Sequence, residues 1–235
     1  MGHAFEGHSE AEVPASVEEV WEAIATGPGI DSWFMGRNEV ENGQVRMAFG
    51  EYQPTSAVTA WEPPHHFKHD SGLAPDGRFV AYEFMIEGRD RGATVLRVVT
   101  SGFLPGDDWA DEFEAMTLGN ALFFGTLVTY LRHFAGRTAR PITAFGPVPG
   151  DWDTAWAKIR AAIGGGDEGD RVTVNGADGV VYFSNPHTLG IRTDHAMYRF
   201  MRGFFGPMIA SHHVFDGNDT EESWQQWLTQ TLEAK

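Results

Sequence analysis

Ten histidines and no cysteine bound the chemistry open to this chain. Without a thiol there is no disulfide, no thiolate nucleophile and no thiolate metal site. His65, His66 and His69 follow closely on Pro63-Pro64. On a strand His65 and His69 share a face, a spacing that turns two imidazoles toward one ion. Asp70 then points the other way and no third ligand accompanies them, so the expectation is exposed histidines on a short strand, and no metal. His212 and His213 are adjacent, which puts them on opposite faces of a strand, and His187 and His195 bring no further ligand set. Acyl transfer needs an activated serine with a histidine and an acid, yet neither G-x-S-x-G nor S-x-x-K occurs. No G-x-x-x-x-G-K-[ST] occurs and no G-x-G-x-x-G follows a strand, so a phosphate cradle has no support. Glu83 and Glu87 alternate with Tyr82, Phe84 and Ile86, which turns the carboxylates to solvent. Asn120 is the more informative polar residue. It falls on an apolar stripe between Met116 and Phe124, where an amide requires strand backbone, a buried water or a ligand as its partner. Tyr82 and Arg97 are candidates for a similar orienting role, with Arg97 the weaker because its strand position also suits solvent.

The elements that position these residues follow from periodicity. Residues 4–13 alternate as a strand, ended by Pro14. Ser16 and Glu19 form a capping box, and Val17, Val20, Trp21 and Ile24 then mark one apolar helix face, stopped by Gly27, Pro28 and Gly29. A short turn carrying Trp33 and Phe34 follows. Strands are expected at 44–50, 55–62, 65–69, 78–87 and 93–101, with turn signals between them, an antiparallel meander. From 107 to 134 the period changes to three and four, through Trp109, Phe113, Met116, Asn120, Phe123, Phe124, Leu127, Leu131 and Phe134. This is an amphipathic helix of about 42 Å. Gly119 and Gly125 inside it each cost about 1 kcal/mol relative to alanine, and mark either a bend or a close approach to the backbone.

The chain repeats itself. Val13-Pro14 precedes Trp21 and Ile24, and Val148-Pro149 precedes Trp156 and Ile159, an offset of 135 residues. Strand-like stretches precede both prolines, and short strands at 171–174, 179–183, 188–192, 195–203 and 208–215 follow the second. A helix over 222–232 closes the chain, capped by Asp219, with Trp224, Trp227, Leu228 and Leu232 on its apolar face. Each half thus reads strand, helix, strands, helix. The expected boundary lies near 135–141, giving a first domain over 1–136 and a shortened second over 137–235; GGGDEGD (164–170) is a loop inside the second.

Acidic residues outnumber basic ones 33 to 17, a net charge of −16, and only Lys68, Lys158 and Lys235 are lysine. Binding to phosphate backbones needs clustered cations, so nucleic acid and anionic membranes are not expected partners. No apolar stretch is long enough to span a bilayer, and the first residues carry no leader signature, which suits a cytoplasmic protein. With 42% apolar residues, 17 Phe and 8 Trp, the chain can build a large core, line a cavity or cover an interface.

The phrase carried by Pro14, Val20, Trp21, Ala23, Ile24, Thr26, Trp33 and Phe34, with the meander and the long helix from Asp107, resembles the SRPBCC (START-like, helix-grip) superfamily. Within it the match is to the Aha-type branch, homologues of the heat-shock-protein ATPase activator. The resemblance covers roughly residues 4–135. It implies an α+β helix-grip fold, a curved antiparallel sheet around a long C-terminal helix, with a cavity between them for a hydrophobic or aromatic small molecule. The candidate lining set is Trp33, Phe34, Phe49, Trp61, Tyr82, Phe84, Arg97, Trp109, Phe113, Met116, Asn120 and Phe124. The expected function is binding or carriage of such a molecule, with no cofactor and no catalytic residue. The alternatives are an aromatase/cyclase-like enzyme and a stress or co-chaperone module that docks a protein partner or a second copy.

Overall fold

The computed structural model describes residues 2–106, 109–203 and 206–234, and the chain divides into two units, Met1–Thr138 and Ala139–Lys235. Asp107, the residue from which the sequence starts its long helix, lies outside the described residues.

In the first unit β1 (His3–Val13) leads into α1 (Val17–Ala25) and a single turn, α2 (Gly27–Ile30). The strands β2 (Arg37–Glu41), β3 (Gln44–Ala48), β4 (Thr55–Glu62), β5 (His66–Asp70), β6 (Phe79–Gly88) and β7 (Thr94–Leu104) follow, and then α3 (Trp109–His133). The sheet is antiparallel in the order β1-β7-β6-β5-β4-β3-β2. It is a meander whose first strand closes onto its last, in register from His3 opposite Leu104 to Val13 opposite Thr94.

The capping box behaves as the sequence implies: Ser16 accepts from the Glu19 amide at 3.2 Å and Glu19 accepts from the Ser16 amide at 2.8 Å. The Gly-Pro-Gly run ends α1 but also opens α2, because the Thr26 hydroxyl caps the new turn at the Gly29 amide. β2 has no counterpart in the sequence reading. Its sequence, Arg-Asn-Glu-Val-Glu, shows almost no apolar alternation, and it pairs with β3 through an Asn42-Gly43 turn with both residues at positive φ, the geometry that favours Asn-Gly hairpins.

α3 runs 25 residues, about 37 Å. A Cβ built on Gly119 meets nothing within 4 Å, so no neighbour demands glycine there. Gly119→Ala is therefore expected to stabilise the first unit by about 0.5–1 kcal/mol, measured as a rise in the denaturant midpoint at unchanged slope.

The second unit repeats the plan in smaller form: β8 (Arg140–Phe145), α4 (Trp152–Ile163), β9 (Arg171–Val174), β10 (Ala177–Asn185), β11 (Thr188–Arg192), β12 (Ala196–Arg202), β13 (Met208–Val214) and α5 (Glu221–Glu233). Its sheet order is β8-β13-β12-β11-β10-β9, again with the first strand on the last. α1 and α4 each begin three residues after their proline, and Ile24 and Ile159 are both fully buried. α4 ends on Gly164 at φ 84°, the left-handed position where glycine carries no Cβ penalty. One fewer strand and a final helix of 13 residues in place of 25 account for the shortening.

The cap of α5 differs from the sequence expectation. Thr220 and Ser223 form the capping box, while the buried Asp219 carboxylate accepts from the Trp224 indole N–H at 3.0 Å and from Asn175 at 2.9 Å. No described helix is long and apolar enough to cross a membrane.

Candidate functional site

Strand pairing decides which side chains of the first sheet face α3. Phe67 lies opposite Phe84 and His69 opposite Tyr82, so these four share a face with Ile86. On β1, His3 and Phe5 share it as well, since His3 stacks on Trp109 with centroids 4.1 Å apart and Phe5 meets Phe113 at 5.7 Å. Gly102 lies opposite Phe5 in β7. A Cβ there would strike both the Phe5 ring and the Phe79 carbonyl, so glycine leaves room for the ring that reaches the helix. Arg78, just before β6, pairs with Glu112 of α3 and ties the helix to the sheet.

Two further contacts bound the region. Phe34, after α2, packs on Phe123 of α3 at 4.4 Å. At the other end Trp21 of α1 meets Trp61 edge-on at 5.1 Å and Phe67 at 6.2 Å. Between these ends the rings of β5 and β6 form a layer. Phe67 and Phe84 lie 24° from parallel, His69 and Tyr82 28°, and His69 and Phe84 17°, with centroids 5.5–6.4 Å apart.

His69 is the unusual member. Its Nδ1 is buried without a hydrogen-bond partner. Burial pulls its pKa down to about 4, against a smaller opposing pull from Asp70. Burial likewise pushes Tyr82 up to about 12, helped by Tyr52. At neutral pH the imidazole is uncharged and the phenol protonated. Both residues lie deep in the unit, and both keep accessible surface, as do Phe113, Met116, Asn120, Phe123 and Phe124 of α3. The Asn120 amide has no hydrogen bond to any described residue, so strand backbone does not satisfy it.

Several residues of the expected lining set lie elsewhere. Arg97 is on the outer face, bonded to Glu10 at 2.5 Å and Glu87 at 3.1 Å; its β7 position has the opposite parity to Leu96 and Val98, which share the Phe84 side. Trp61 is 48% exposed and caps the α1 end of the layer. Trp33 is buried with its indole N–H donated to the Ala23 carbonyl at 2.8 Å, a contact that anchors the turn after α2. Phe49 is buried beyond β3, in a two-way backbone bridge with Tyr52. Phe84, Trp109 and Phe34 are in the layer or at its margins.

His69 itself corrects the reading of exposed histidines. β5 is interior to the sheet, so the parity of Phe67 carries His69 inward, while His66 turns outward to Glu83 at 2.8 Å beside Lys68. Glu83 faces outward as alternation implies.

The helix side of the second sheet is filled. Tyr198, Phe200 and His212 are fully buried beneath Trp224, Leu228 and Ile159, with Trp152, Trp156 and Trp227 packed around them. His212 Nδ1 accepts the Arg199 amide at 3.0 Å, which places the imidazole proton on Nε2, and the ring meets Trp224 edge to face at 4.2 Å. Burial, with the Arg199 charge behind it, keeps His212 neutral. The Arg199 guanidinium is bonded to the Ser211 carbonyl and hydroxyl, each at 3.0 Å.

No family model matches the chain, and no curated protein matches it in sequence. Among solved structures, the Aha1 dimer from Colwellia psychrerythraea is 19% identical with a TM-score of 0.44, over 55% of this chain and 96% of that one. The BH1534 protein of Bacillus halodurans is 25% identical with a TM-score of 0.45, over 55% and 97%. DynU16, a protein of the dynemicin biosynthetic locus, is 19% identical with a TM-score of 0.45, over 97% and 95%.

Proposed function

We propose that the first unit binds a hydrophobic or aromatic small molecule between its curved sheet and α3, without transforming it, and that the second unit is packed closed, with no site of its own. We also assign the first unit to the Aha-type branch on its motif from Pro14 to Phe34. The observation that carries the binding reading is the state of His69 and Tyr82. Both are deep in the unit, yet both keep accessible surface. We read that surface as facing an internal space, and a space lined by aromatic rings with a few placed polar groups is the usual form of a small-molecule site. The second unit supplies the contrast: its corresponding side chains are fully buried under tryptophan.

Native mass spectrometry of protein purified from its own host, followed by denaturing extraction, tests this. A stoichiometric small hydrophobic molecule is expected. A bare mass, with no thermal shift across an aromatic and lipid library, overturns the reading in favour of a protein-docking module. Recovery of a chemically altered library compound would make the unit an enzyme.

A further inference from the structure

Resting on that reading, we propose that His69 is the polar anchor of the site, and that the ligand is an uncharged planar aromatic bearing a hydroxyl group, which hydrogen-bonds to the imidazole while its ring extends the Phe67–His69–Tyr82–Phe84 layer. Three observations carry this. The His69 Nδ1 is enclosed and has no partner, an exception that calls for an explanation; a bound hydroxyl supplies one here, whereas the equally unpartnered His212 Nε2 lies on a ring covered by Trp224. The Phe84 and Tyr82 rings lie 17° and 28° from parallel to the imidazole, with Phe67 tilted by 39°, a surface that suits a flat ligand more than a flexible chain. The charges of the neighbouring strands are turned away: Lys68 and Glu83 pair with each other, and Arg97 pairs with Glu10 and Glu87, all on the outer face. Asp70, next in sequence, bonds the Gly72 amide at 2.9 Å.

The chemistry of the ligand follows. A neutral imidazole offers one lone pair and one N–H, and Tyr82 stays a protonated phenol beside it. A carboxylate or ammonium ligand would be stripped of water there with no opposite charge to meet it, whereas a hydroxyl both donates and accepts.

Calorimetric titration of the full chain at pH 7.5 with 2-naphthol, the near-isosteric 2-methylnaphthalene and 2-naphthoate tests the proposal, with His69→Phe as the variant that keeps the stacked ring and removes both nitrogens. The expected result is that 2-naphthol binds about tenfold or more tighter than 2-methylnaphthalene, from the hydrogen bond gained, that 2-naphthoate binds weakest, and that H69F loses the preference while still taking 2-methylnaphthalene. Equal binding of the two neutral probes to the natural protein, a preference that survives in H69F, or tightest binding of 2-naphthoate would each overturn the anchor and leave the binding reading standing. The natural protein decides this even where H69F does not fold. Binding of no probe at all overturns both.

Discussion

Replacing Trp224 with alanine is expected to destabilise the second unit by about 3–5 kcal/mol, the range for truncating a large aromatic in a closed core. Trp224 is 2% exposed and touches Tyr198, His212 and Trp227 with ring centroids 4.2–5.5 Å away. Its removal opens a cavity that Tyr198, Phe200 and His212, fixed on the interior strands β12 and β13, cannot close. It also leaves the buried Asp219 carboxylate without the indole N–H that it accepts at 3.0 Å, and a buried acceptor deprived of its donor adds its own cost. Trp227→Ala is expected to cost less, because that ring is only partly buried against the same core. Hydrogen exchange followed by mass spectrometry separates the effects by segment: amides of β12 and β13 should exchange far faster in W224A, and those of β6 and β7 should keep their natural rates. Unchanged protection in β12 and β13 would show that α5 does not hold this core.

Acid should weaken both units through their neutral histidines. His69 has a folded pKa of about 4 against about 6.5 when unfolded. Between those values the unfolded chain binds the proton and the folded one does not, so stability rises with pH. The contribution is fully present above about pH 6.5, falls by about 1.4 kcal/mol per pH unit below it, and is exhausted near pH 4, a total loss of about 3 kcal/mol. His212, shifted in the same direction by deeper burial and the Arg199 charge, adds a second proton of the same sign in the other unit. Urea denaturation at pH 7.5, 6 and 5, read by hydrogen exchange in β5–β7 and separately in β12–β13, gives the two slopes. H69F should flatten the first and spare the second. Stability that is level from pH 7.5 to 5 in both segments would mean that these imidazoles take up protons in the folded protein as readily as in the unfolded chain.

Most of the fold was legible in the sequence because alternation, capping and punctuation acted together. The Val-Pro…Trp…Ile echo marks the same strand-to-helix junction in both units, and the meander strands fall where alternation puts them. β2 was hidden for a physical reason: an edge strand need bury only one position, here Asn38, so Arg37, Glu39 and Glu41 stay polar, and only Asn42-Gly43 announced the hairpin. Asp219 was misread because aspartate is by itself the better N-cap, and the choice of Thr220 rested on the indole of Trp224, a tertiary contact that takes the Asp219 carboxylate. At the site, parity on β6 correctly set Tyr82 and Phe84 against Glu83. The same rule applied to β5 turns His69 inward with Phe67 once the strand lies inside the sheet; three histidines in five residues pointed instead to an exposed strand. Arg97 failed by parity alone. The placements of Trp33 and Trp61 were not legible, because an aromatic side chain announces burial or stacking but not the direction in which it is oriented.

In both units the opening strand is the partner of the closing one. β1 finds its whole ladder on β7, about ninety residues further along, and β8 waits in the same way for β13. During synthesis β1 therefore emerges with its hydrogen-bonding edge unpaired and stays so until Leu104 has left the ribosome. Such long-range closure gives a high contact order, and hence refolding slower than that of a helical protein of equal length. The hairpins β2–β3 and β6–β7 can form early from neighbouring residues, while the strand made first is the last to be seated. The alternating Glu6, Glu10 and Glu12 on β1 are charges that keep a waiting edge from pairing with the wrong chain.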